Sequence, residues 1–377
     1  MTSSLPPRAA YIHIPFCKHR CGYCNFALVA GRDDLVAPYL DALGRELSFL
    51  ARPRSVDTLY FGGGTPTFLS CDQLAQICEL VLHWHPLRRA YEWTVEANPG
   101  DLDGARLQTL ARNGVTRLSL GAQSFCTAKL ARLERDHQAA DIRHAVRLAR
   151  DAGLRLSIDL IFAAPEETLP QWQADLEAAI ALDPEHISTY GLTFEKGTPF
   201  WTRRQRRELV PVSEEIERTM YLEAIDKLIQ AGYEHYEISN FGKPGHRSRH
   251  NEVYWSGQSY FAAGPGAARY VDGVRSTNHR STLNYMQRLK TGESPVAERE
   301  LLGPEQRARE MLILGLRRIE GVNRQEFFSR SGFDVEALCG NEIARFVDLG
   351  LLQDDGPTLR LTRDGLLVSD SLWPELV

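Results

Sequence analysis

A chain of 377 residues is long enough to bury a large core, and a single α/β barrel routinely runs past about 200 residues. Hydrophobic content of 43% and charged content of 25% are those of an ordinary globular protein and exclude a disordered or collagen-like chain. The net charge of −5 gives no general pull toward nucleic acid, and no apolar run approaches the ~18 residues that span a bilayer. Residues 1–10 have neither a basic start nor an apolar stretch, so no secretory signal is expected.

Short apolar runs recur along the first half of the chain, each followed by a helical pattern. The first, Ala10 to Ile14, leads into three cysteines, Cys17, Cys21 and Cys24. A helix follows, with Val36, Leu40, Leu43, Leu47 and Leu50 on one face. Val56 to Phe61 is the second strand and ends in Gly62-Gly63-Gly64-Thr65. Cys78 falls on the apolar stripe of the next helix, with Leu74, Ile77 and Val81, and reads as a core residue. Tyr91 to Glu96, Thr116 to Leu120, Leu154 to Phe162 and Ile187 to Leu192 complete six strands. Between the fourth and fifth lies a helix with Ile142, Ala145, Val146 and Ala149, stopped at Gly153. Parallel strands need a crossover of about a dozen residues, so six repeats predict a parallel sheet. Six units are fewer than the eight of a closed barrel. The expected fold is α/β, an open (β/α)6 TIM-like partial barrel.

A second region opens near Val212 with a helix ending at Gly232, followed by an aromatic- and glycine-rich stretch to Gly273. Gly264-Pro265-Gly266 reads as a turn. From Pro304 the pattern is helical, then Leu351 to Thr362 reads as a hairpin around Asp355-Gly356. This predicts a C-terminal α+β, winged-helix-like unit, and the acidic chain argues against DNA binding there. The expected organisation is 1–211 for the partial barrel, 212–290 for an extension of it, and 291–377 for the C-terminal unit.

Three thiols spaced C-x3-C-x2-C are one short of a tetrahedral zinc site and of a fully ligated [4Fe–4S] cluster. His13 or His19 could complete a zinc. A cluster would keep one iron open to an outside ligand. Crowding of three of the seven cysteines into eight positions suits a reducing, cytoplasmic setting better than a disulfide framework. The chemistry of a parallel barrel sits at the carboxyl ends of its strands. Polar or special-backbone residues stand at that end of all six: the cysteine run, Gly62 to Thr65, Glu96 to Asn98, Gly121 to Gln123, Asp159 and Tyr190. Asp159 sits inside an apolar run, where a carboxylate must be paired or face a polar cavity.

These motifs resemble the radical S-adenosylmethionine superfamily, in the branch of oxygen-independent coproporphyrinogen III oxidase and its HemW-type heme-chaperone relatives. The resemblance rests on Tyr11-Ile-His-Ile-Pro-Phe-Cys17, the spacing of the cysteines and Gly62-Gly-Gly-Thr-Pro-Thr67, and it runs over nearly the whole chain. It implies a [4Fe–4S] cluster on Cys17, Cys21 and Cys24, with S-adenosylmethionine on the open iron. An electron from such a cluster cleaves a carbon–sulfur bond and yields a 5′-deoxyadenosyl radical. It further implies Gly63, Gly64 and Thr65 along the methionine moiety, and Tyr11, Tyr23, Glu96, Gln123, Arg135 and Asp159 at further positions around the cofactor. Glu96 or Asp159 suits an ammonium or ribose hydroxyls, and Arg135 a carboxylate held by its planar fork.

Within that branch, the oxidase decarboxylates coproporphyrinogen III to protoporphyrinogen IX, whereas the chaperone binds heme and passes it to an acceptor hemoprotein. The oxidase pattern has a further cysteine where this chain has Phe26, and a longer segment before the first strand. The run His250-Asn251-Glu-Val-Tyr254-Trp255 resembles the H-N-x-x-Y-W signature of the chaperones. It implies heme binding by His250, Asn251, Tyr254 and Trp255, with His250 as an iron ligand and the two aromatics against the macrocycle. The expectation is thus a heme chaperone with an unidentified acceptor hemoprotein, a respiratory one by the resemblance, no nucleic-acid partner, and a homodimer as the oligomeric state to test.

Overall fold

The computed structural model describes residues 6–377. Half of the 1–10 stretch read for a signal therefore lies outside the described residues. Nine strands make the main sheet: β1 (Ala9–Ile14), β2 (Val56–Gly63), β3 (Leu87–Ala97), β4 (Arg117–Gln123), β5 (Arg155–Phe162), β6 (His186–Gly191), β7 (Glu234–Glu237), β8 (Asn240–Gly242) and β9 (Phe261–Ala263). Their order is β9-β1-β2-β3-β4-β5-β6-β8-β7. The six strands from β1 to β6 run parallel, each pairing with the next in sequence. No ladder among the described residues joins the two edges, so the sheet is the open partial barrel that six units predict.

Local chemistry explains the elements between the strands. The helix Cys71–Trp84 starts at a capping box, in which the Ser70 hydroxyl accepts from Gln73 N–H and the Gln73 side chain accepts from Ser70 N–H. It buries Leu74, Ile77, Cys78 and Val81 against the sheet. The helix Ala139–Asp151 buries Ile142, Ala145, Val146 and Ala149 and is followed by Gly153 at φ +75°. β9 pairs parallel with β1, and β8 pairs antiparallel with β6, so the second region extends the sheet at both edges.

A separate core gathers Leu312, Phe327, Phe346 and Leu359 in the C-terminal unit. There the helices Pro304–Leu316, Arg324–Ser331 and Val335–Asp348 pack beside a three-stranded sheet of Val322–Asn323, Leu352–Asp354 and Thr358–Leu361. The hairpin turns at Gly356, φ +85°, as the Asp-Gly pair predicts. Among the described residues no helix is long and apolar enough to cross a membrane.

Candidate functional site

β1 delivers the chain to Cys17, which pairs with the segment Val29–Ala30 and so closes the cysteine loop on itself. Cys17 and Cys21 are buried and Cys24 is half-buried. All three line one cavity of about 650 Å³ at the carboxyl ends of the strands. Burial pushes the Cys17 thiol up to about 11 and raises Cys24 as well, so in the metal-free chain both are protonated at neutral pH.

The loop after β2 is pressed against this segment. Thr65 N–H donates to the Phe16 carbonyl at 2.6 Å and Gly64 N–H to that of Ile14 at 2.9 Å. A Cβ on Gly64 would lie 2.5 Å from the Phe16 carbonyl oxygen. On Gly63, at φ +107°, it would lie 2.4 Å from the His13 ring. The glycines are thus required first by close packing against the segment that leads to the cysteines, Gly64 on its backbone and Gly63 on the His13 ring.

Two carboxylates enter the cavity. Glu96 accepts from the Tyr60 hydroxyl at 2.9 Å and from Gly63 N–H at 3.0 Å. Burial nonetheless pushes its pKa up to about 7. Asp159 accepts from the Ser119 hydroxyl at 3.1 Å, and burial pushes it up to about 6. Both are acids short of a cation, and a positive ligand would favour their ionised forms.

A chain of hydrogen bonds connects two of the cysteines. Cys17 Sγ and Thr65 Oγ1 lie 2.9 Å apart. Asn98 Nδ2 donates to Thr65 Oγ1 at 2.8 Å, and Arg135 Nη2 donates to Asn98 Oδ1 at 2.6 Å. Arg135 Nη1 then reaches Cys21 Sγ at 3.6 Å. Arg135 Nε is buried without a partner, leaving one donor of its fork for a ligand.

Of the residues singled out in the sequence, Tyr23, Gly63, Gly64, Thr65, Glu96, Gln123, Arg135 and Asp159 line this cavity together with the cysteines. Tyr11 does not line it. It stands behind the wall, its hydroxyl 3.1 Å from His13 Nδ1 and its ring stacked 6.0 Å from Tyr60. His13 has both nitrogens engaged, Nε2 at 2.6 Å from the Ala27 carbonyl, and so is not free to complete a zinc. Among the described residues no group of three His, Cys, Asp or Glu side chains is arranged to hold a single metal ion.

The H-N-x-x-Y-W run folds as the helix Arg249–Trp255 and does not gather its four residues on one surface. His250, 1% exposed, has Nδ1 2.9 Å from Thr58 Oγ1 and Nε2 2.8 Å from the Tyr254 hydroxyl. Positions four apart share a helix face, so these two meet each other, and neither ring nitrogen is open to iron. Burial lowers the ring to about 3, which keeps it neutral. Asn251 lines the barrel cavity, while Tyr254 and Trp255 line another cavity of about 1010 Å³. The helix is therefore a partition between two spaces.

The fold gives three residues roles that the sequence did not show, and one of them, Arg280, was not singled out at all. Asn98 was legible as a strand-end amide, but its bridging role needs the fold. Arg280 donates to the Asn25 carbonyl and lines the cavity beside the cysteines. Gly264, φ +106°, packs its backbone against that of His13, so the Gly264-Pro265-Gly266 turn buttresses the cysteine segment.

The family model of the radical SAM superfamily matches residues 11–179, and that of the HemN C-terminal domain matches residues 302–368. A protein of Lactococcus lactis named heme chaperone HemW is 34% identical over 98% of this chain and 97% of its own length. The Escherichia coli protein of that name is 33% identical over 98% and 97%. The chain belongs to the HemW family. Its fold is that of coproporphyrinogen III oxidase from Escherichia coli, with a TM-score of 0.86 over 98% of this chain and 90% of that one, at 22% identity.

Membership of the radical SAM superfamily implies a [4Fe–4S] cluster and S-adenosylmethionine for this HemW-family chain. The cavity suits both: three thiols at one end, then two carboxylic acids short of a cation and an arginine donor without a partner.

Proposed function

We propose that this chain is a heme chaperone that keeps a cluster and S-adenosylmethionine in its barrel. The observation that carries the reading is likeness over nearly the full length to relatives named heme chaperones, which includes the second region and the C-terminal unit as well as the barrel. Phe26 supports it. This residue stands where the oxidase pattern has a further cysteine, and it is 60% exposed at the cysteine end of the cavity.

Cys17, Cys21 and Cys24 hold the cluster. The cluster with S-adenosylmethionine supplies electron transfer to a sulfonium when bound. Around it, this chain's residues bind and orient. Glu96 and Asp159 take the cationic or hydroxyl-bearing part of the ligand, and each gives up its proton as a positive charge arrives. Arg135 takes a carboxylate with the donor that has no protein partner, while Asn98 fixes its other edge. Gly63, Gly64, Thr65, Gln123 and Tyr23 complete the wall. Tyr11 acts from behind, by holding His13 and Tyr60. Heme goes to an acceptor hemoprotein.

The test is anaerobic incubation of the reconstituted protein with coproporphyrinogen III, S-adenosylmethionine and a reductant, beside a hemin titration. Stoichiometric hemin uptake with no vinyl product is expected. Turnover to protoporphyrinogen IX would overturn the reading in favour of the oxidase.

A further inference from the structure

A cluster that gives an electron to a bound sulfonium must receive one in return from a carrier outside the chain. That carrier has to come close to Cys17, Cys21 and Cys24, so it docks on the surface around them. This surface departs from the rest of the molecule in charge. The chain carries a net charge of −5, yet Cys17 to Arg32 and Pro199 to Arg207 hold seven Lys or Arg and no Asp or Glu.

The fold locks these two segments together. The helix Pro199–Gln205 follows β6 and starts at Thr198, whose hydroxyl accepts from Trp201 N–H. Phe200 N–H donates to the Gly22 carbonyl at 2.9 Å, in the middle of the cysteine run. A Cβ on Gly22 would lie 2.4 Å from the Phe200 ring, and that ring meets Tyr23 edge-on at 6.0 Å. The buried Phe200 ring thus pins an arginine-rich helix to the residue beside Cys21.

Part of the charge is neutralised within the protein. Arg203 pairs with Glu134, Arg32 pairs with Asp34, and Lys18 lies 3.9 and 3.8 Å from Asp101 and Asp136. Arg20, Arg204, Arg206 and Arg207 remain. All four are exposed, and none has a carboxylate within ion-pair distance among the described residues. Arg204 rests on Phe194, 5.1 Å from the ring centroid, and Glu195 and Glu208 border the patch. Phe26, 60% exposed on the cysteine segment, adds an apolar spot. Electron-transfer encounters use small interfaces, in which complementary charge sets the rate of encounter.

We propose that Arg20, Arg204, Arg206 and Arg207 form the docking surface for a small acidic one-electron carrier protein that reduces the cluster. This rests on the cluster of the proposed function. The carrier's flavin or iron–sulfur centre loses one electron and the oxidised cluster gains it, and no bond to the chain forms or breaks.

The test measures the Kd of a flavodoxin, an acidic flavin protein, for the full chain with and without its cluster. It also measures the rate at which the flavodoxin hydroquinone reduces the cluster, with dithionite as a small reductant that needs no docking surface. The variant is Arg204→Glu, Arg206→Glu and Arg207→Glu together. Arg112→Glu, Arg143→Glu and Arg147→Glu together make the same charge change on exposed faces of other helices. Far-ultraviolet dichroism and a thermal melt monitor folding. We expect the first triple to raise Kd and slow reduction by flavodoxin by about tenfold or more at low salt, with a smaller gap at high salt. Dithionite reduction and iron content stay at the wild-type values, and the second triple changes Kd by less than about threefold. Wild-type Kd and rate in the folded first triple, or an equal loss in the second, overturn the docking surface. So does the absence of salt-sensitive flavodoxin binding by the wild type, which leaves the chaperone reading standing. Iron content near none after reconstitution overturns the cluster, and this proposal with it.

Discussion

The two ends of the barrel are built on opposite plans. At the carboxyl end, polar groups bond to one another: Cys17 to Thr65, Thr65 to Asn98, Asn98 to Arg135, Tyr60 to Glu96. The site is held in shape before any ligand arrives, as a site for a fixed cofactor should be. The cavity of about 1010 Å³ lies at the opposite, amino end, where arginines surround aromatic walls that span the barrel and the C-terminal unit. The two cavities share no lining residue, so a change in one can be read without touching the other. The helix Arg249–Trp255 stands between them, with Asn251 on one side and Tyr254 and Trp255 on the other.

The largest effect expected is at the cysteines. Cys17→Ala, Cys21→Ala and Cys24→Ala should each take the iron content of anaerobically reconstituted protein from about four per chain to near none. Unchanged iron and sulfide in all three would remove the cluster from the carboxyl end. Next is the partition. His250→Ala leaves Thr58 and the Tyr254 hydroxyl unpaired in a buried place and should cost about 3 kcal/mol in a denaturant melt. If the folded fraction still binds hemin with the wild-type Soret position, His250 is not the ligand. A lost or shifted Soret band would make it one.

Gly64→Ala should cost about 2 kcal/mol, because the added Cβ meets the Phe16 carbonyl and the cysteine segment must move. Cluster content should fall with it. Asn98→Ala should cost about 1–2 kcal/mol and weaken S-adenosylmethionine, since the amide orders the carboxyl end. Unchanged affinity for S-adenosylmethionine would remove Asn98 from that site.

A pH slope is also expected. The folded chain raises Glu96 from 4.5 to about 7, so between those values it binds more protons than the unfolded chain. Stability of the cofactor-free protein should therefore fall as pH rises through that window, and Glu96→Gln should flatten the slope. Asp159, raised from 3.8 to about 6, adds to the lower part of it. A slope of opposite sign in the melting temperature would contradict the burial of these two acids.

Much of the carboxyl end was legible because strand direction and the position of special residues are both written locally. Six apolar runs, each leading to cysteine, glycine, carboxylate, amide or tyrosine, place those residues on one rim before any coordinate is seen. The short strands β8 and β9 were not legible, since three residues carry no periodicity and their pairing is a tertiary matter. Nor was the work of Gly63 and Gly64, whose nearest neighbours, His13 and Phe16, lie about fifty residues back in sequence. His250 shows the converse limit. A motif names residue types, but the i,i+4 geometry of its helix turned the histidine onto Tyr254 instead of into a cavity.

The most direct test of a heme chaperone that keeps its cofactor in the barrel is a hemin titration of cluster-reconstituted protein, with and without saturating S-adenosylmethionine. One hemin per chain in both titrations is the predicted result. No stoichiometric hemin uptake in either titration would contradict the account.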